Sequence, residues 1–248
     1  LAQEILSSDL NLLFGNFEKI ELSVFDNRTA LSLIQDKFKA LSVPDKISDF
    51  IVSFGFCHPF YLNALAGALV DYHTKNPASE PAISSLISAL ENMFLDNWGI
   101  LNRRFSCLMD EIESSLKGRL VIEVMIELSS ASNSIREISQ ALMRPKKEVS
   151  FLLNQLCSLD IVSKNADIYY LADRIFSFWL RCIYTNRLNA FSMDADKQKQ
   201  SFRREMDSLF ASFSEAQGKA INVRILELFN QFSNKSIEVQ KKRMHLNP

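Results

Sequence analysis

Apolar residues recur every three or four positions along most of the chain, which is the spacing of amphipathic helices. Residues 26–41 predict a first helix, capped by Asp26 and buried along the stripe Ala30, Leu31, Leu33, Ile34, Phe38 and Leu41. A second helix is predicted from Pro44 to a stop at Gly55, and a third opens at His58 and Pro59. Strand-like alternation is confined to short runs such as residues 17–22.

A longer helical pattern comes after a proline-bearing loop at residues 76–81. Ser79 is its predicted cap, and a continuous apolar stripe extends the helix to about Leu116, with a bend near Gly99. We therefore expect residues 26–117 to form a helical bundle.

From residue 118 the pattern changes to three short helices followed by two short strands, an order typical of a winged helix. The first helix is predicted at residues 120–128, and the second begins at Ser134, whose side chain pairs with Glu137 in a reciprocal cap. The third begins at Pro145 and directs Val149, Leu152, Leu153, Leu156 and Leu159 inward. Strands at residues 161–163 and 168–171 form the wing, with residues 164–167 at its tip.

Beyond the wing the pattern is helical again. Asp173 caps a helix so apolar, from Ile175 to Ile183, that the bundle or a partner must cover it. More polar helices are predicted at residues 202–213 and 221–232, with a break at Gly218. The predicted fold class is mainly α: the helical bundle, a winged-helix domain at residues 118–186, and a helical C-terminal segment at residues 187–248, for which the start of a further domain is the alternative.

The composition favours the same class. Apolar residues make up 47% of the chain, and its six glycines and six prolines are too few for a protein of many strands and tight turns. The four cysteines are far apart and lack CxxC spacing, so we predict buried thiols and no metal site. His73 and His245 are predicted to be ordinary surface residues. Without a run of roughly twenty apolar residues or a signal-peptide pattern, we expect a cytoplasmic protein with no membrane partner.

The net charge of -1 excludes a global attraction to nucleic acid, so any such binding needs a local patch. The best candidate is the outer face of the third predicted helix of the winged helix. Arg144, Lys146 and Lys147 can meet phosphates there, while Ser150, Asn154 and Gln155 can reach base edges, and the wing adds Lys164. Because residues 118–172 hold six basic and six acidic side chains, docking of a protein partner is the alternative.

Three short patterns, in this order, resemble the C-terminal half of archaeal-type AAA+ ATPases, which are related to the STAND class. Ile20-Glu21-Leu22 before a capped helix is similar to the end of that family's ATPase core. The run His58-Pro59-Phe60-Tyr61-Leu62 looks like its Gly-His-Pro-Tyr lid motif. Tyr170-Leu171-Ala172-Asp173 with Phe178-Trp179 is similar to its Tyr-x-x-Asp and Phe-Trp sequence.

This resemblance, over about residues 15–185, implies that residues 1–25 are the remnant of an upstream ATPase core and that the bundle is a nucleotide-sensing lid. It implies that His58 and Pro59 contact the base of ATP, which the intact parent protein would bind with Mg²⁺. Cys57 stands where the family prefers glycine, and its side chain could crowd the nucleotide. The residues alone also allow His58 to be a structural residue at a helix N-terminus.

No G-x-x-x-x-G-K-[ST] loop exists in the chain, so we expect no nucleotide hydrolysis, no catalytic residue and no cofactor bound by this chain alone. The leading hypothesis is the regulatory C-terminal portion of a P-loop ATPase, whose winged helix engages double-stranded DNA or a protein partner. The alternatives are a non-enzymatic winged-helix regulator of transcription that forms a homo-oligomer through its bundle, and a protein-interaction scaffold.

Overall fold

The computed structural model describes residues 23–116, 118–131, 133–189, 195–219, 223, 225, 227, 229–230, 236–239 and 242–245. Helices dominate this part of the chain, which confirms the mainly α class. The strand predicted at residues 17–22 lies outside the described residues, as do most of the remnant predicted at residues 1–25 and of the helix predicted at residues 221–232. No helix in the described part is long and apolar enough to cross a membrane.

Five helices form the first part of the described chain: α1 (Asn27–Lys37), α2 (Asp45–Phe54), α3 (Pro59–Lys75), α4 (Ile83–Phe94) and α5 (Ile100–Ser115). The start of α1 reflects chemistry visible in the sequence, because the Asp26 carboxylate accepts a hydrogen bond from the Thr29 amide at 2.9 Å. His58 caps α3, with Pro59 at the first helical position. Each of these helices packs an apolar face into a shared core.

The prediction of one helix from residue 80 to residue 116 is wrong, although the bend predicted near Gly99 coincides with the start of the second helix. The structure has two helices there, and α4 begins at Ile83, after an N-cap at Ala82 instead of Ser79. The chain turns between them because Asp96 accepts a hydrogen bond from the Trp98 amide at 3.0 Å, while the Asn102 side chain donates to the Asp96 carbonyl at 2.8 Å. Such local side-chain bonds offer the backbone an alternative to continuing a helix.

The region predicted to be a winged helix contains α6 (Arg119–Ser130), β1 (Asn133–Ser134), α7 (Ile135–Ala141), α8 (Lys146–Ser158), β2 (Val162–Asn165) and β3 (Ile168–Leu171). The strands form an antiparallel sheet in the order β1-β3-β2. Ser134 and Glu137 make the predicted reciprocal cap of α7. Lys164 and Asn165 belong to β2, so the hairpin tip is shorter than the four residues predicted.

The next helical run is the centre of the core. It comprises α9 (Arg174–Trp179), a π-helical turn (Leu180–Tyr184) and α10 (Thr185–Asn189). Trp179 is fully buried, and its indole nitrogen donates to the Asn102 side chain at 3.1 Å. Phe178 contacts Phe54 and Phe94 edge to face, which joins the bundle to the helices after the hairpin. One continuous hydrophobic core therefore serves both parts of the chain.

A long helix, α11 (Ala195–Gly218), packs across this core through the buried side chains of Phe202 and Met206. Its Arg203 forms an ion pair with Glu91, a carboxylate on α4 that is only 7% exposed. A two-stranded antiparallel hairpin comes next, made of β4 (Ser236–Val239) and β5 (Lys242–His245), so the prediction of a helical segment through residues 187–248 is wrong for these residues. The predicted break at Gly218 coincides with the end of α11.

Three predictions about burial are wrong. His73 is buried, with its Nδ1 beside the Ser79 carbonyl at 3.1 Å, because α3 packs that side of the helix inward. Leu159 lies past the end of α8 and is 47% exposed. The cysteines are not fully buried: Cys107 is exposed, since it lies on the solvent side of α5, and the other three are half-buried.

Candidate nucleic-acid interface

A groove of about 520 Å³ lies where the first turns of α7 and α8 meet the β2–β3 hairpin. It is lined by Ser134, Ile135, Arg136, Lys146, Lys147, Ser150, Lys164, Asp167 and Tyr169. The groove therefore brings together four of the seven predicted nucleic-acid contacts, Lys146, Lys147, Ser150 and Lys164, although the hairpin and α8 are separate elements.

Local structure places each of these residues at the groove. Pro145 starts α8, so that Lys146 and Lys147 occupy its first turn. On the hairpin, Lys164 is paired with Tyr169 across the strands, and its ammonium lies 5.2 Å from the centre of the Tyr169 ring. The reciprocal cap at Ser134 orients the first turn of α7, which adds Arg136 to the groove. Arg136 was missed from the sequence because only the packing of α7 on α8 places it there.

The groove has a local excess of positive charge although residues 118–172 are balanced overall. Four cationic side chains line it, against the single carboxylate of Asp167. Most of the other carboxylates in this region are engaged elsewhere: Glu123 pairs with Arg119, Glu127 accepts from Asn133, and Glu137 belongs to the cap. Among the described residues, no salt bridge neutralises Arg136, Lys146, Lys147 or Lys164. The charges that could meet an anion are thus concentrated on one surface.

The remaining three predicted contacts do not line the groove, and one of them, Gln155, is half-buried on α8. Arg144 is exposed immediately before α8, and its carbonyl accepts a hydrogen bond from the Ser139 hydroxyl at 2.5 Å. Asn154 is exposed two turns into α8. The same surface also displays two apolar side chains that the sequence analysis did not single out, Met143 at 92% exposure and Phe151 at 64%.

A second cluster joins the first turn of α3 to the end of the hairpin. The His58 Nδ1 accepts a hydrogen bond from the Phe60 amide at 3.2 Å, which is the structural role that the residues alone allow for His58. Tyr61, three residues after His58, donates its hydroxyl to Asp173, which lies two residues after β3. The Arg104 guanidinium lies 5.0 Å from the centre of the Phe60 ring. Two sequence patterns that are 112 residues apart therefore meet in space.

Electrostatics strengthen this contact. Burial of the Tyr61 ring, followed by the neighbouring Asp173 carboxylate, raises the pKa of the Tyr61 hydroxyl well above its usual range. The hydroxyl is therefore a donor at any physiological pH. Asp173 is also the cap of α9, because its other carboxylate oxygen accepts from the amides of Ile175 and Phe176 at 3.0 Å each.

Cys57 adopts a backbone conformation that favours glycine, with φ of 56°. Its thiol donates to the Asn27 side chain at 3.3 Å and so points toward α1. At the position where the family that this chain resembles prefers glycine, the chain has a cysteine with positive φ. The thiol of this cysteine is bonded to Asn27. Nucleotide sensing by His58 and Pro59 stays a prediction.

The chain is similar to structures of Thermotoga maritima RuvB, a Holliday junction branch migration motor. One match has 13% identity and a TM-score of 0.36, and covers 68% of this chain and 53% of RuvB. Two RuvB variants match at 13% and 12% identity with TM-scores of 0.37 and 0.36, each covering 74% of this chain and 55% of RuvB. This chain spans about half the length of RuvB, and TM-scores this low do not establish a shared fold.

A scan against protein-family models finds no match, and neither does a search of curated proteins. The family resemblance noted in the sequence therefore stays a prediction.

Proposed function

We propose that residues 118–172 are a winged helix that binds double-stranded DNA through the groove between α8 and the β2–β3 hairpin. The observation that carries this proposal is the set of four cations, from α7, α8 and the hairpin, that surround one concave surface and have no salt bridge to any described residue. Neutralised DNA phosphates release counterions, and this supplies most of the affinity for a basic surface. In this arrangement α8 is the helix that enters the major groove, and the hairpin is the wing.

We further propose that the helices before it are the lid of an AAA+/STAND-type P-loop ATPase, whose core would hold ATP and Mg²⁺. Support comes from the contact between Tyr61 and Asp173, because each belongs to one of the patterns that resemble that family. His58 fits a base-contacting role only in part. Its Nδ1 is committed to the Phe60 amide, which leaves Nε2 as the ring atom available to a nucleotide.

Fluorescence anisotropy of a labelled duplex at two salt concentrations tests the DNA proposal. The double variant Lys146→Ala/Lys147→Ala should bind the duplex at least about tenfold more weakly than the wild type at low salt. The slope of its log K against log salt concentration should be shallower by about two. Lys197→Ala/Lys199→Ala is the matched control, because it removes two exposed lysines from α11 without touching the groove. Equal losses in both variants, or no binding to duplex at low salt, would contradict the proposal.

Docking of a protein is the second candidate function, and a specific observation favours it. Met143 and Phe151 are both largely exposed, and apolar side chains that form a contiguous exposed patch often mark protein contacts. Under this alternative, the binding of a partner would depend on Met143 and Phe151 and only weakly on salt. The salt titration therefore separates the two functions.

A further inference from the structure

The outward face of α8 carries an aromatic ring at its centre. Lys147, Phe151 and Asn154 are spaced four and three residues apart and so share one side of the helix. Val149, Leu153 and Leu156 are buried on the opposite side. Phe151 is 64% exposed, and the Asn154 side chain is exposed with no hydrogen-bond partner among the described residues. Neither side chain is used by the fold.

We propose that Phe151 and Asn154 together read A·T base pairs in the major groove. This inference rests on the proposed binding of duplex DNA and specifies what that binding recognises. An asparagine amide can bond both the N6 and N7 atoms of adenine, and a phenylalanine ring can contact the 5-methyl group of thymine. Only the A·T pair presents both features in the major groove. Residues three apart on a helix have neighbouring side chains, so one or two adjacent base pairs suffice for both contacts.

Charge decides between DNA and a protein as the occupant of this face. Lys146, Lys147 and Lys164 lie on the side of α8 that lines the groove, so a duplex seated there would present its bases to Phe151 and its phosphates to the lysines. The one carboxylate of α8, Glu148, lies by helical periodicity on the side away from the groove. The aromatic side chain is thus bordered by cations on the side from which the phosphates would approach.

Replacing thymine by deoxyuridine in the same duplex tests the methyl contact, because only the 5-methyl group is removed. The full chain should bind an A·T-rich duplex about fourfold more tightly than its deoxyuridine counterpart, the ratio expected for burying one methyl group. Phe151→Ala should bind the two duplexes equally. Lys146→Ala/Lys147→Ala should weaken both by the same factor and keep the ratio, and Asn154→Ala should lose the preference for A·T over G·C sequences.

The outcomes also separate this inference from the proposed function. Salt-sensitive binding with equal affinity for the thymine and deoxyuridine duplexes would overturn the inference and leave DNA binding intact. A ratio that persists in Phe151→Ala would also overturn it, since the methyl effect would then belong to the DNA itself. Absence of duplex binding would overturn both, and self-association abolished by Phe151→Ala would then assign this face to a second copy of the chain.

Discussion

The hydrogen bond between Tyr61 and Asp173 is the contact by which the bundle holds the end of the hairpin, and it can be removed cleanly. Tyr61→Phe deletes the hydroxyl and keeps the ring, which is 4% exposed and contacts the rings of His58 and Phe60. A hydrogen bond to a charged acceptor contributes about 1.5–3 kcal/mol. We expect Tyr61→Phe to lower the free energy of unfolding by that amount.

Asp173→Ala should cost more, because it removes two contributions. The cap of α9 is worth about 0.5–2 kcal/mol, and the buried Tyr61 hydroxyl is left without its acceptor, at about 1–3 kcal/mol. The double variant Tyr61→Phe/Asp173→Ala has no hydroxyl that could be left without an acceptor. Its loss of stability should therefore be smaller than the sum of the losses of the two single variants. The shortfall measures the coupling between the two side chains.

Urea unfolding followed by circular dichroism measures all three variants. Tyr170→Phe is the control, because the Tyr170 hydroxyl makes no hydrogen bond among the described residues, and it should change stability little. A Tyr61→Phe protein within about 0.5 kcal/mol of the wild type, a difference typical of surface changes, would refute the reasoning. Additive losses in the double variant would refute it as well.

The same bond predicts a dependence on pH. The pKa of Tyr61 is raised in the folded protein relative to the ordinary tyrosine value of 10.0, first by burial and then by Asp173. The folded state therefore binds the hydroxyl proton more tightly than the unfolded state does. The contribution of this hydrogen bond to stability is complete below pH 10 and is lost as the pH rises beyond that value. Wild-type stability should decline more steeply above pH 10 than that of Tyr61→Phe.

Three further substitutions and one labelling experiment have expected outcomes. Arg203→Ala leaves the buried Glu91 carboxylate unpaired and should cost about 1–2 kcal/mol in urea unfolding, since the half-exposed arginine is partly screened by water. Gly99→Ala should destabilise the protein by about 1–3 kcal/mol, because its Cβ would lie 2.4 Å from the carbonyl oxygens of Asn92 and Met93. Gly67→Ala should stabilise the protein, because Gly67 lies in the middle of α3 with open space around its Cβ position. Iodoacetamide at pH 8 should label exposed Cys107 first and Cys182 last, as burial raises the pKa of Cys182 to about 11.

The existence of most helices could be predicted from the sequence because their signals are local. Asp26, Ser134 and Asp173 each cap the helix that the sequence assigned to them. The break between α4 and α5 was predicted only as a bend near Gly99, because the apolar stripe runs through it and the turn depends on hydrogen bonds of Asp96 and Asn102. A hydrogen bond between residues six positions apart produces no periodic pattern of apolar residues in the sequence.

The candidate interface could likewise be predicted only in part from the sequence. Lys146, Lys147 and Ser150 could be predicted from the outer face of one helix, and that face is fixed by the period of its buried side. The exposure of Phe151 could also have been predicted, because this residue falls outside the buried stripe formed by Val149, Leu153 and Leu156. The entry of Arg136 into the groove depends on packing between elements and could not be read from spacing.

The Tyr61–Asp173 contact bears on how a lid and a winged helix would work together. Asp173 lies two residues after β3, and the Ala172 amide donates to the Ile161 carbonyl at 2.9 Å, so the hairpin, the cap of α9 and the first turn of α3 form one connected unit. The buried contacts of Phe178 with Phe54 and Phe94 lie in the same core. Because packed cores resist small continuous deformation, a displacement of the first turn of α3 would carry the groove with it. The proposed lid and the proposed DNA-binding groove would therefore move together as one rigid unit.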